Sequence, residues 1–174
     1  ITTQPGVNEF PLGLLQMAIK ITTEPPKGLP AGVSRTFSTV VNQDFLEKVE
    51  PYDKWRALVY SVCFLHTVII ERRKFGPLGF CIPYEFNNSD LDCSMSTLKM
   101  FLEEQDEIPW ESLVYVTGQI NYGGRITDDQ DRRCRMTRLA SYYTPSIIAD
   151  DYKFPESGTY DVPPEGPLKS YIDY

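Results

Sequence analysis

The sequence predicts an all-α domain, a helical bundle with an extended C-terminal segment rich in proline, glycine and tyrosine. Three observations carry that expectation. Apolar residues recur at helical spacing in one stretch after another. Proline and glycine clusters separate those stretches by short breaks, the pattern of a bundle. At 174 residues, 41% hydrophobic and 13% aromatic, the chain is long and apolar enough for one core without a disulfide or metal staple.

The elements follow in order. "PLGLLQMAIKI" opens at Pro11, tolerated at the first helical position, and sets Leu14, Leu15, Ala18 and Ile19 at helical spacing. "TTEPPKGLPAG" breaks it: Pro25 and Pro26 remove two donors, and Gly28, Pro30 and Gly32 predict a turn. A helix is expected from about Val33 to Val41 and a stub from Asp44 to Val49. The longest helix should run from Tyr52 to Lys74. Its middle, "ALVYSVCFLHTVII", is apolar almost all round and marks the central core helix. That run is shorter than the ~20 residues a bilayer requires, and Ser61, His66 and Thr67 interrupt it.

"ERRK" places cations where the helix dipole favours them, and "FGPLG" stops the helix. Pro83 holds Ile82 out of the helical region, so "FCIPYEFNN" is extended. Ser89 is the expected N-cap of the next helix, with Asp90 and Asp92 in its first turn and Leu91, Met95, Leu98 and Leu102 as its apolar stripe. Pro109 then starts "PWESLVYVTGQI", which offers Trp110, Leu113, Val114 and Val116 to the core. The region 152–174 is expected to lay its aromatic rings on the body and to end in a short helix after Pro167.

Charge and motif content exclude several functions. A formal charge of −7 speaks against binding nucleic acid or an acidic membrane, because phosphate contacts demand a basic face. Cys63, Cys81, Cys93 and Cys134 form no CxxC pair, and one histidine cannot complete a typical zinc set, so no metal site is expected. His66, inside the most apolar helix, is read as a core histidine rather than a base, since a base must be reachable by substrate. The run Glu103, Glu104, Asp106, Glu107 is read as a solvated face. No GxGxxG, nucleophile elbow or zincin motif is present. The chain opens at Ile1 and closes at "SYIDY" within a helical pattern, so it is expected to be a piece of something longer.

The stretch "GQINYGGRITDDQDRR" (118–133) invites two readings. As a helix junction, Gly123 and Gly124 take positive-φ conformations, Thr127 and Gln130 form a capping box, and Asp128, Asp129 and Asp131 sit in the first turn of the next helix. Met136, Leu139, Ala140 and Tyr143 would be its buried stripe, with Arg132, Arg135 and Arg138 largely opposite. As a phosphate cradle, the glycine amides would hold an anion. Three acids at the same helix start would repel it, and the GxxxxGK[ST] loop is missing. Capping chemistry favours the junction.

"ITTEPPKGL", "ERRKFGPLGFCIPYEFNNSDL", "TGQINYGGRITDDQDRR" and "YKFPESGTYDVPPEG" together closely resemble dynein heavy chains, especially axonemal ones, over nearly the whole chain. The resemblance implies a position: residues 1–150 as the helical small (lid) subdomain of the sixth AAA+ module, and 151–174 as the connector beginning the C-terminal domain. It implies no catalytic, cofactor or metal residue here, with ATP and magnesium held in other modules of an ATPase motor. Pro30 stands where relatives commonly carry a basic residue, so a sensor-type arginine is absent at that position. Relatives also commonly carry an aromatic at the position of Gln130, so a packing contact is expected to be lost there. The implied role is to transmit conformational change within an ATP-driven, minus-end-directed microtubule motor of the cilium or flagellum axoneme; the alternative is a nucleotide-sensing regulatory domain. The implied partners are neighbouring AAA+ modules, the C-terminal domain, other dynein subunits and microtubules. The expected inter-domain contacts are Arg72, Arg73, Arg125, Arg132, Arg133, Arg135 and Arg138.

Overall fold

The computed structural model describes residues 11–19, 21, 27–50, 52–149, 152–154 and 158–174, and every regular element within them is helical. The α-helices are α1 (Leu12–Met17), α2 (Leu29–Val40), α3 (Gln43–Leu46), α4 (Tyr52–Arg72), α5 (Asn88–Glu104), α6 (Trp110–Tyr115), α7 (Asp129–Ala140) and α8 (Leu168–Asp173). The fold class matches the sequence expectation, and no described helix is long and apolar enough to cross a membrane.

Helix α4 is the axis of the bundle. Trp55, Leu58, Val59, Val62, Cys63, Phe64, Leu65 and Ile69 are all buried, so the helix is enclosed on every side, as its nearly continuous apolar run predicts. Around it pack α2, α3, α5 and the 3₁₀ turn Pro145–Ile148. Each fully buried Leu, Val or Phe contributes roughly 1.5–3 kcal/mol. The polar groups on α4 are tied inward: Ser61 Oγ donates to the Tyr142 carbonyl at 2.7 Å, and Trp55 Nε1 donates to the Phe45 carbonyl at 2.8 Å. His66 is indeed a core residue, with Nδ1 2.8 Å from the Tyr122 hydroxyl. Burial pushes its pKa down to about 4 against the pull of Asp90, so the ring is neutral.

Several boundaries differ from expectation. Helix α2 begins four residues early, because Pro30 falls in the first turn, where a missing N–H leaves no intrahelical bond unmade. The predicted turn at Gly28, Pro30 and Gly32 is therefore a helix entry. The break at Pro25 and Pro26 lies outside the described residues. Helix α1 stops before Ala18, and Leu12, Leu14, Met17, Ile19 and Ile21 are exposed, so none of these apolar side chains reaches the core. Helix α5 is capped by Asn87, not Ser89: the Asn87 side chain accepts from Ser89 N, and Asp90 returns a bond to Asn87 N. Its stripe of Leu91, Met95 and Leu98 is buried, with Leu102 partly so.

The C-terminal segment packs its rings on the body as predicted. Phe154 stacks on Phe64 at 4.4 Å between centroids, and Tyr171 of α8 stacks on Phe37 of α2 at 5.5 Å. Backbone bonds fix the path: Phe154 N donates to the Tyr160 carbonyl at 2.8 Å, and Leu168 N donates to Gln43 Oε1 at 2.8 Å. The last helix thus returns to α2 and α3, closing one core over the first and last packed helices.

Candidate inter-domain surface

The stretch 118–133 is a helix junction, assembled differently from its sequence reading. After α6 the chain enters a π-helical turn, Val116–Asn121, then a 3₁₀ turn, Gly123–Arg125. Here Thr117 Oγ1 donates to the Tyr143 hydroxyl at 3.2 Å, and Tyr122 is buried against His66. Gly123 and Gly124 are not among the positive-φ glycines; Gly123 matters for close approach, since a Cβ there would fall 2.4 Å from the Gly118 carbonyl oxygen. The cap of α7 is Asp128, one residue after the expected Thr127. Its Oδ1 accepts from Gln130 N at 2.9 Å and Asp131 N at 3.0 Å.

Asp131 is more than a first-turn charge. It is buried, and it accepts from Cys81 N at 2.9 Å, Ile82 N at 3.3 Å and the Tyr84 hydroxyl at 3.0 Å. The same Tyr84 hydroxyl accepts from Asp128 N at 3.2 Å. Burial opposes the Asp131 charge, but these donors prevail and hold its pKa below the usual carboxylate value. They stitch the start of α7 to the extended segment 81–86. Cys81, Asp128 and Asp131 bring potential metal-ligating atoms within 4.8 Å of one another, a grouping that cysteine spacing alone did not anticipate. Both acids are already engaged by backbone amides, and the hydrogen bond to Asp131 raises the Cys81 pKa.

The arginines expected to form one polar face are divided among three settings. Arg125 Nε donates to Asp90 Oδ1 at 2.9 Å, across to α5. Arg132 reaches Asp129 at 3.6 Å and donates to the Ile126 carbonyl at 3.1 Å. Arg73 and Arg133 are exposed. Arg135 contradicts the expected face: it is only 4% exposed, and none of its guanidinium nitrogens has a hydrogen-bond partner among the described residues. Burial, and then the charge of Arg132, push its pKa down to about 10. The true inner stripe of α7 is Asp131, Arg135 and Leu139, at four-residue spacing, while Ala140 is exposed and Met136 only partly buried. Arg72, Arg135 and Arg138 come together around an apolar cleft of about 20 Å³ floored by Leu65, Ile69 and Phe80.

Beside that cleft the chain leaves α4 through the 3₁₀ segment Arg73–Leu78, so of the three cations in "ERRK" only Arg72 lies in the last α-helical turn. Gly76 at φ 54° and ψ −134° makes the reversal, a conformation open to glycine. Gly79 N and Phe80 N both donate to the Gly76 carbonyl, at 2.8 and 2.9 Å. Arg72 Nη2 donates to the Gly79 carbonyl at 2.7 Å, and its guanidinium lies over the Phe80 ring at 5.5 Å. A Cβ at Gly79 would sit 1.8 Å from the Arg72 carbonyl oxygen. This closely held turn presents Phe75 and Leu78 to solvent, 64% and 90% exposed. Sequence reasoning treated "FGPLG" only as a helix stop and missed those two side chains.

Comparison with known proteins accords with this architecture. The family model described as the dynein heavy chain AAA lid domain matches residues 55–174. Dynein axonemal heavy chain 6 of Homo sapiens is 46% identical over 167 residues, covering 96% of this chain and 4% of that protein. Dynein axonemal heavy chain 3 of Homo sapiens is 44% identical over 176 residues, covering all of this chain and 4% of that protein. Dynein axonemal heavy chain 12 of the same species is 43% identical over 178 residues, covering all of this chain and 6% of that protein. The chain thus spans only a small fraction of the length of these relatives, and with a family model matched over most of its residues it belongs to the dynein heavy chain AAA lid family.

Proposed function

We propose that this chain is a non-catalytic, force-transmitting element of an axonemal dynein heavy chain, an ATP-driven, minus-end-directed microtubule motor of the cilium or flagellum. It would carry conformational change between AAA+ modules of the ring, with ATP and magnesium held in other modules. Residues 151–174 would lead the chain into the C-terminal domain. The partners are the adjoining modules and C-terminal domain of the same polypeptide and, through the parent, dynein subunits and microtubules.

One observation carries the reading: α2, α4 and the C-terminal segment share one close-packed core, with Phe37, Phe64, Phe154 and Tyr171 buried together. A core at crystal-like density transmits displacement instead of absorbing it. Helix α2, whose first turn carries Pro30 and no cation, is covered by α8. The clefts of about 320 and 390 Å³ beside the tail are lined by Asp161, and the larger also by Glu165, carboxylates that would repel a triphosphate.

Two measurements test the proposal. Arg132→Glu with Arg133→Glu in the intact heavy chain should leave the protein folded and lower ATP-dependent microtubule sliding; unchanged sliding removes the transmitting role. Mg-ATP should leave the melting temperature of the chain unmoved, whereas binding at 100 times Kd would add about 2.7 kcal/mol and favour a nucleotide sensor.

A further inference from the structure

We propose that the cleft between α2, α4 and the C-terminal segment is a binding site for a small alkylammonium cation, held by Asp161 among aromatic rings; this does not depend on the force-transmitting reading. The cleft measures about 320 Å³, the size of a small-molecule site. Helix α4 supplies Tyr60 and Phe64, the tail supplies Tyr160 and Asp161, and the chain through α8 supplies Tyr171 and Tyr174. Residues more than a hundred positions apart thus meet in one hollow.

Its lining suits a cation. Tyr60, Phe64 and Tyr171 are buried and form the floor, while Tyr160 and Asp161 are half-buried and Tyr174 is exposed at the rim. The Phe64 and Tyr160 rings lie 5.4 Å apart at 55°, and those of Tyr60 and Tyr171 lie 6.3 Å apart at 52°. Rings inclined in this way make the walls of a hollow rather than a flat stack. The quadrupole of an aromatic face attracts a cation within about 6 Å, most strongly where water is displaced. A neutral guest gains only the burial of its apolar part.

Two polar groups in the cleft lack what an ammonium provides. Asp161 accepts a hydrogen bond from the Tyr174 hydroxyl but joins no ion pair among the described residues. The Tyr60 hydroxyl, on a side chain only 6% exposed, has no hydrogen-bond partner among the described residues. Burial, and then the nearby Tyr174 and Asp161, push its pKa up, so it stays a neutral phenol with lone pairs to offer. An ammonium N–H brings the carboxylate a counter-charge and the phenol oxygen a donor. The adjoining cleft of about 390 Å³ shares Asp161, Tyr171 and Tyr174, but its second acid, Glu165, already meets Arg56 at 3.5 Å. Asp161 is therefore the carboxylate left for a guest.

The test is an NMR titration of the purified chain with n-butylammonium, read on the ring protons of Tyr60, Tyr160 and Tyr174. Saturable shifts should appear with the amine and stay small with 1-butanol, its neutral counterpart. Asp161→Asn keeps the shape and the Tyr174 contact but removes the charge, and should weaken binding about tenfold or more. Tyr60→Phe keeps the ring and deletes the hydroxyl, and should weaken it roughly threefold. Glu165→Gln should leave the affinity unchanged. Equal shifts with 1-butanol, or an Asp161→Asn protein that binds as well as the unaltered one, overturn the proposal. A lysine-containing peptide that displaces butylammonium at far lower concentration assigns the cleft to a protein partner and overturns the small-molecule reading.

Discussion

Arg135 supplies a prediction whose sign runs against the habit of reading every buried arginine as a stabilising contact. It is 4% exposed with no guanidinium nitrogen bonded among the described residues, and burial pushes its pKa down to about 10. At neutral pH the group is charged in both folded and unfolded chains. A lowered pKa means the folded state holds that charge less favourably than water does. Burial of the charge thus destabilises the fold by about 1–3 kcal/mol once partial screening is allowed for. Arg135→Met keeps the aliphatic stem against Leu65 and Phe80 and deletes the charge. The expected outcome in urea or thermal unfolding of the purified chain is stabilisation by about 1–3 kcal/mol, a Tm raised by roughly 2–10 °C. A loss of more than about 1 kcal/mol in the purified chain would mean that the guanidinium has a real partner, and the argument would fail.

Two further perturbations follow from the core. His66 is held neutral with a pKa near 4, below its ordinary 6.5, so its contribution to stability is complete above pH 6.5 and is lost as pH falls toward 4. About 3 kcal/mol should disappear over that window, and His66→Gln should flatten that part of the stability profile; an unchanged slope would assign acid sensitivity to other groups. Phe154→Ala removes the ring stacked on Phe64 and should cost about 3–5 kcal/mol, read by chemical unfolding. A cost below about 1 kcal/mol would show that the C-terminal segment is not part of the core.

Element type was legible from the chain alone because helical periodicity is a local property. The continuous apolar run of α4, the stripe Leu91, Met95, Leu98 and the tail rings each require burial wherever the chain goes. Caps were readable only to within a residue or two. Asn87 and Asp128, not Ser89 and Thr127, are the residues whose side chains accept from the first-turn amides. Glycine roles moved as well: Gly123 serves close contact with the Gly118 carbonyl of the preceding turn, while Gly76 makes the reversal.

The sequence by itself determined that this is a helical member of the dynein heavy chains with its longest apolar helix at the centre, because composition, spacing and motif blocks are properties of the string. Only the tertiary structure decided what the charged residues do. Asp131 joins α7 to Cys81, Ile82 and Tyr84, and Arg135 lies buried beside α4, though both belong to a run of charges that on its own looks solvent-facing. The energy of a charge depends on its surroundings in three dimensions, and those come from segments some fifty residues away along the chain.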